Sequence, residues 1–243
     1  MKTILARIYG LISLAGMFIL LNSCEKEFSA EGQPVINSTT PVINPTVNPI
    51  PYSLLVYLVT PADQKIDYNY YNAAKTTMQK LQDWYKTQMG NNKTFVLNPV
   101  VVDTLTGLHE SSWFLSDHGP EISGNDHYQY NNAKHEIKQL LGSKFDTTLY
   151  TYFIYIPAPF DDETYPNGLA AQGLKNLNGL VDNSNLYIGM AAHSLGHGFG
   201  LPELPVQTPT GIMCAAGISN YPNSTFTQEE KDSLNAGPFL QVQ

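Results

Sequence analysis

The segment that most constrains this chain is Ala191-Ala192-His193-Ser194-Leu195-Gly196-His197-Gly198-Phe199-Gly200-Leu201-Pro202-Glu203. Residues four apart on an α-helix lie about 40° apart around its axis, so the imidazoles of His193 and His197 can converge on one point. Zinc requires that arrangement of two ligands, together with a third nitrogen or oxygen donor and one open position. Gly200 is suited to ending the helix in a left-handed conformation and turning the chain back. That turn brings Glu203 toward the same point as a carboxylate ligand. Glycine costs a helix interior up to about 1 kcal/mol relative to alanine. Gly196, Gly198 and Gly200 beside two histidines therefore set this segment apart from a helix that only fills a core.

The spacing resembles the metzincin signature of zinc peptidases, H-E-x-x-H-x-x-G-x-x-H, with His193, His197 and Gly200 matching. Glu203 stands where that family has its third histidine, and Ser194 where it has its catalytic glutamate. Gly211-Ile212-Met213 resembles the family's Met-turn, whose methionine floors the metal site. The resemblance implies an α+β, zincin-like single domain over residues 52–243, with a twisted mixed sheet, long helices, an active-site helix and a Met-turn. It also implies zinc as cofactor, held by His193, His197 and Glu203 above Met213. In the family the glutamate takes a proton from the attacking water and passes it to the leaving amine. Positioned acid–base catalysis of this kind contributes roughly 100- to 10,000-fold. Serine is too short and too weakly basic for that role, so the resemblance implies a peptidase-like protein that is impaired or inactive. Two other readings keep the fold. One is an active endopeptidase that uses a different base; the other is a non-catalytic surface protein that binds a peptide or protein, or is purely structural.

Strand and helix patterns alternate ahead of this segment, as a layered domain requires. Residues 54–59 form an apolar run stopped by Pro61, which predicts a strand. Ala74, Met78, Leu81 and Tyr85 recur at helical spacing through residues 72–89, and Gly90 ends that helix. A second strand is predicted over 94–102, broken by Pro99, and a second helix over 131–141. Residues 149–156 are a dense aromatic and β-branched strand. Near the end, Thr227 caps a closing helix and Glu230 completes a capping box.

The first residues read as an address. Lys2 and Arg7 precede a mostly apolar stretch, residues 8–21, which is shorter than the about 20 residues a membrane span takes. It runs into Leu21-Asn22-Ser23-Cys24, which resembles the lipobox of bacterial lipoproteins. The resemblance implies a signal peptide over 1–23, a lipid on Cys24, and anchoring in the bacterial cell envelope, at the outer membrane or cell surface. Residues 24–51 form a tether, in which Pro34, Pro41, Pro45, Pro49 and Pro51 keep the chain extended. Acylation of Cys24 leaves Cys214 as the one remaining cysteine, so no internal disulfide forms. Substituting Cys24 with alanine is expected to abolish acyl labelling and leave an uncleaved precursor; an unmodified mature terminus elsewhere, found by intact mass, would refute the assignment.

The formal net charge is −8, and losing Lys2 and Arg7 with the leader makes it −10. Arg7 is the only arginine, so the mature form lacks the guanidinium forks and basic surface on which nucleic-acid binders rely. Residues 192–196 imitate a serine-hydrolase nucleophile elbow, but that fold needs an acid and then a histidine downstream. No histidine follows His197. His109, His118, His127 and His135 lack metal-ligand spacing and read as surface residues. The Asn- and Tyr-rich stretch 125–132 reads as a surface loop, and Cys214 as a small buried residue.

Overall fold

The computed structural model describes residues 49–118, 128–160, 163–165, 168–205 and 210–242. The leader, Cys24, nearly all of the tether, and His127 lie outside them. The described residues all fall in one compact unit, Val42–Gln243. None of their helices is long and apolar enough to cross a membrane.

Five strands build the main sheet: β1 (Ser53–Thr60), β3 (Asp103–Thr106), β4 (Tyr150–Tyr155), β5 (Glu163–Tyr165) and β6 (Leu169–Gln172), in the order β3-β1-β4-β6-β5. The pairs β3/β1, β1/β4 and β4/β6 are parallel, whereas β5 runs antiparallel to β6 at the edge. The sheet is therefore mixed, and the described residues form a single α/β domain. Every residue of β1 is buried, as expected of a strand covered on both faces. Its side chains alternate. Leu54, Val56 and Leu58 point into one core with helices α1 (Tyr68–Gln88), α3 (Leu174–Val181) and α4 (Asn185–Gly198). Leu55, Tyr57 and Val59 point into the other, against α2 (Tyr128–Leu141) and the 3-10 turn Ser111–Leu115. A small antiparallel sheet pairs β2 (Lys93–Phe95) with β7 (Leu240–Val242).

Helix α1 buries the four positions that the spacing indicated, Ala74, Met78, Leu81 and Tyr85, and adds Thr77 and Trp84. It begins earlier than expected because the Asp67 side chain caps it, accepting from Asn69 N at 2.7 Å. Of the single strand expected over 94–102 only the first two residues are strand, in β2, and the next strand, β3, begins beyond it at Asp103 and joins the other sheet. Pro99 lies between them, where the chain leaves β2 and crosses to the edge of β1. The helix expected over 131–141 is α2, and the surface-loop reading of 125–132 is corrected for its described part: residues 128–130 form the first turn of α2, and Asn131 and Asn132 are buried. Its asparagines gave a loop signal that packing against the sheet overrode. The closing helix α5 (Gln228–Ala236) has its capping box, with Thr227 Oγ1 accepting from Glu230 N and Glu230 Oε2 from Thr227 N.

Candidate metal centre

Helix α4 carries the two histidines across the inner face of the sheet. Its apolar positions Ile188, Ala191, Ala192 and Leu195 enter the core shared with α1. The buried Tyr85 hydroxyl donates to Ala192 O at 3.0 Å, fixing the helix to α1 one residue before His193. Burial, and secondarily the carboxylate of Glu230, raises the Tyr85 pKa well above its ordinary value, so the phenol stays a donor.

The helix stops at Phe199, and Gly200 turns the chain with φ +95°. Gly200 N donates to His197 O at 2.8 Å and Leu201 N to Gly196 O at 3.0 Å, so the reversal satisfies two of the last helical carbonyls. The reversal brings Glu203 to the histidines. His193 Nε2 and His197 Nε2 are 3.1 Å apart, and Glu203 Oε2 is 3.3 Å from the first and 3.2 Å from the second. Both imidazoles are nearly buried, while 52% of the Glu203 side chain is exposed. Among the described residues this trio is the one group of three or more histidine, cysteine or carboxylate side chains that close together.

The protonation pattern follows from the partners. His193 Nδ1 lies 2.9 Å from Ile212 O, and His197 Nδ1 lies 2.8 Å from Leu201 O. A carbonyl only accepts, so each Nδ1 carries the proton and each Nε2 of a neutral ring presents a lone pair. With both rings neutral, two lone pairs and a carboxylate oxygen face one another, an arrangement that could hold a metal ion. Ligand atoms 2.0–2.1 Å from a tetrahedral ion stand about 3.3 Å apart. The three observed separations fit that ion.

Met213 is fully buried beneath the helix. A Cβ on Gly196 would lie 2.3 Å from Met213 Sδ, so glycine there is what lets the thioether approach. The helix glycine therefore makes room for Met213, a packing role that the sequence did not show. Met213 O accepts from Leu204 N at 2.8 Å, and Glu203 Oε1 from Ala215 N at 3.2 Å, tying the Glu203 segment to the turn that carries Met213. Cys214 is buried beside it.

Ser194 is fully buried, and its Oγ accepts from Gln172 Nε2 of β6 at 3.3 Å. Residue types gave no sign of Gln172; it ends a short strand of small residues, Leu169-Ala170-Ala171-Gln172. The other described histidines, His109, His118 and His135, stand apart from the trio. His109 Nδ1 bonds Glu136 Oε2 at 2.5 Å, and its ring stacks on Trp113, which stacks in turn on His118. Glu136 is fully buried and also accepts from Leu108 N. His109 is therefore an anchored residue rather than a plain surface one, while His118 is exposed. Glu136→Ala would leave those donors unmatched and is expected to cost about 1–3 kcal/mol, read by denaturant unfolding. A concavity of about 530 Å³ lined by Phe160, Lys175, Asn178 and Tyr187 contains none of the trio.

No protein-family model and no curated protein matches this chain. Among solved structures, the metallopeptidase OgpA from Akkermansia muciniphila is similar at a TM-score of 0.54 and 16% identity, over 79% of this chain and 62% of OgpA. A catalytically inactive OgpA in complex with an O-glycopeptide substrate, glycodrosocin, is similar at 0.52 and 14%, over 79% and 62%. Archaemetzincin from Methanopyrus kandleri matches at 0.43 and 13%, over 78% of this chain and 97% of its own. This chain thus spans about three fifths of OgpA. The likeness shows a metallopeptidase-like fold.

Proposed function

We propose that this chain is an envelope lipoprotein with a zinc site of metzincin type, in which peptide hydrolysis is impaired because Ser194 holds the place of the general base. The observation that carries the reading is the convergence of three acceptors, His193 Nε2, His197 Nε2 and Glu203 Oε2, at 3.1–3.3 Å from one another. His193, His197 and Glu203 would hold the ion and Met213 would floor it. Bound zinc supplies Lewis-acid chemistry: it polarises a carbonyl and lowers the pKa of water.

The residues of the chain supply the rest, and they supply it incompletely. The carbonyls of Ile212 and Leu201 orient the imidazoles, as second partners of metal-binding histidines do. A general base would have to take a proton on the water side of the ion. Ser194 carries a hydroxyl that accepts from Gln172, is cut off from solvent, and has no basicity near neutral pH. Metal binding and turnover are therefore separable here. The ligand class of the fold is peptide or protein, and OgpA, which was captured with an O-glycopeptide, makes glycosylated peptides a set worth screening.

Metal analysis and a peptide-cleavage assay with a chelator control test the reading together. One zinc per chain with negligible cleavage is expected. Absence of metal would leave a purely structural protein, and chelator-sensitive cleavage would make it an active endopeptidase.

A further inference from the structure

Three polar side chains on the α4 side of the sheet are fully buried and leave atoms without a partner among the described residues. These are Tyr155 Oη at the end of β4, Gln172 Oε1 at the end of β6, and both amide atoms of Asn176 in the first turn of α3. Thr151 Oγ1, further back along β4, is a fourth. Buried side-chain polar atoms nearly always have partners, so such a group in one region calls for an explanation.

The topology brings two of them side by side. Tyr155 and Gln172 are Cα partners in the parallel β4/β6 ladder, so their side chains leave the sheet on the same face, with the strands about 4.8 Å apart. That face is the one under α3 and α4, since Tyr155 and Ala170 share their core with Leu177 and Leu195. A buried phenol there must donate, and a carboxamide oxygen must accept. Water does both at once, and buried water characteristically makes about three such bonds to otherwise unsatisfied groups.

We infer that Tyr155, Gln172 and Asn176 line a buried water-binding site, and that Gln172 links it to Ser194 in the metal helix. The Tyr155 hydroxyl donates to the water, the water donates to Gln172 Oε1, and Gln172 Nε2 donates to Ser194 Oγ. Asn176, in the first turn of the helix that follows β6 directly, would supply the water's third partner. The chain of hydrogen bonds ends at position 194, where the family resemblance puts a carboxylate. Position 194 is thus backed by a hydrated polar pocket instead of hydrocarbon, although its base is gone. The inference goes beyond the metal reading and does not rest on it.

The test is a double-mutant cycle on the purified chain, unfolded by denaturant in the presence of chelator so that metal plays no part. Tyr155→Phe and Gln172→Met are each expected to raise the unfolding equilibrium constant roughly 5- to 30-fold, and the double variant by less than the product. Tyr155→Phe that leaves the constant unchanged or lowers it overturns the inference, because a dry site gains by losing an unmatched hydroxyl. Effects that multiply fully overturn it as well. Should a variant fail to fold, a crystal structure of the wild type at a resolution that orders water decides. Density within hydrogen-bond distance of both Tyr155 Oη and Gln172 Oε1 supports the site, and its absence there rejects it.

Discussion

Replacing His193 and His197 together with alanine is expected to take the zinc content from one ion per chain to none. The double variant removes two of three donors and leaves Glu203, a half-exposed carboxylate of the kind common on any surface. Binding by one exposed carboxylate is too weak to survive dialysis, so metal analysis after dialysis separates the outcomes sharply. The single variant Glu203→Gln should weaken binding rather than abolish it, because both imidazoles stay held by Ile212 O and Leu201 O. Full metal content in the double histidine variant would place the ion elsewhere and end the assignment of this site.

The second large effect is expected at Ser194. Ser194→Glu should raise peptide hydrolysis by up to about 100- to 10,000-fold over a wild type that shows almost none. Ser194 lies within the buried face of α4 against Gln172, so three further heavy atoms must find room there. Gln172→Ala combined with Ser194→Glu provides that room, and Glu203→His added to Ser194→Glu restores the family's ligand pattern. A gain that appears only in one of the combined variants identifies which feature blocks the glutamate. Wild-type cleavage that is chelator-sensitive and unaffected by Ser194→Ala would show that another residue is the base, and the impaired-peptidase reading would fall.

The convergence of His193, His197 and Glu203 was legible in the sequence because its geometry is local. His193 and His197 are one helical turn apart, and Glu203 follows through a turn at Gly200 whose φ of +95° suits glycine. The central strands were legible for the opposite reason: β1 and β4 are buried on both faces and carry near-continuous apolar runs. Long-range features were hidden. Nothing local announces that Gln172 meets Ser194, or that His109 and Glu136 pair across 27 residues. Strand β6 is too short and too rich in alanine to signal itself, and only its place between β4 and β5 makes it a strand. The helix expected from residue 131 is present as α2, but residues 128–130, read as loop because asparagine marks turns, already form its first turn, and the burial of Asn131 and Asn132 had no local signal.

The unequal exposure of the three candidate ligands has a consequence for how the proposed site would take up an ion. Each imidazole is nearly buried and held at Nδ1, so its rotamer freedom is already lost when the chain folds. Glu203 is half in solvent and keeps more of its own freedom; apart from its approach to the two imidazoles, it is held by Ala215 N. On the proposed reading, ordering on metal capture would therefore fall on a single carboxylate, and a substitution elsewhere in 201–205 that stiffens the segment should speed capture. The two histidines act as a fixed jaw and the glutamate as the moving one.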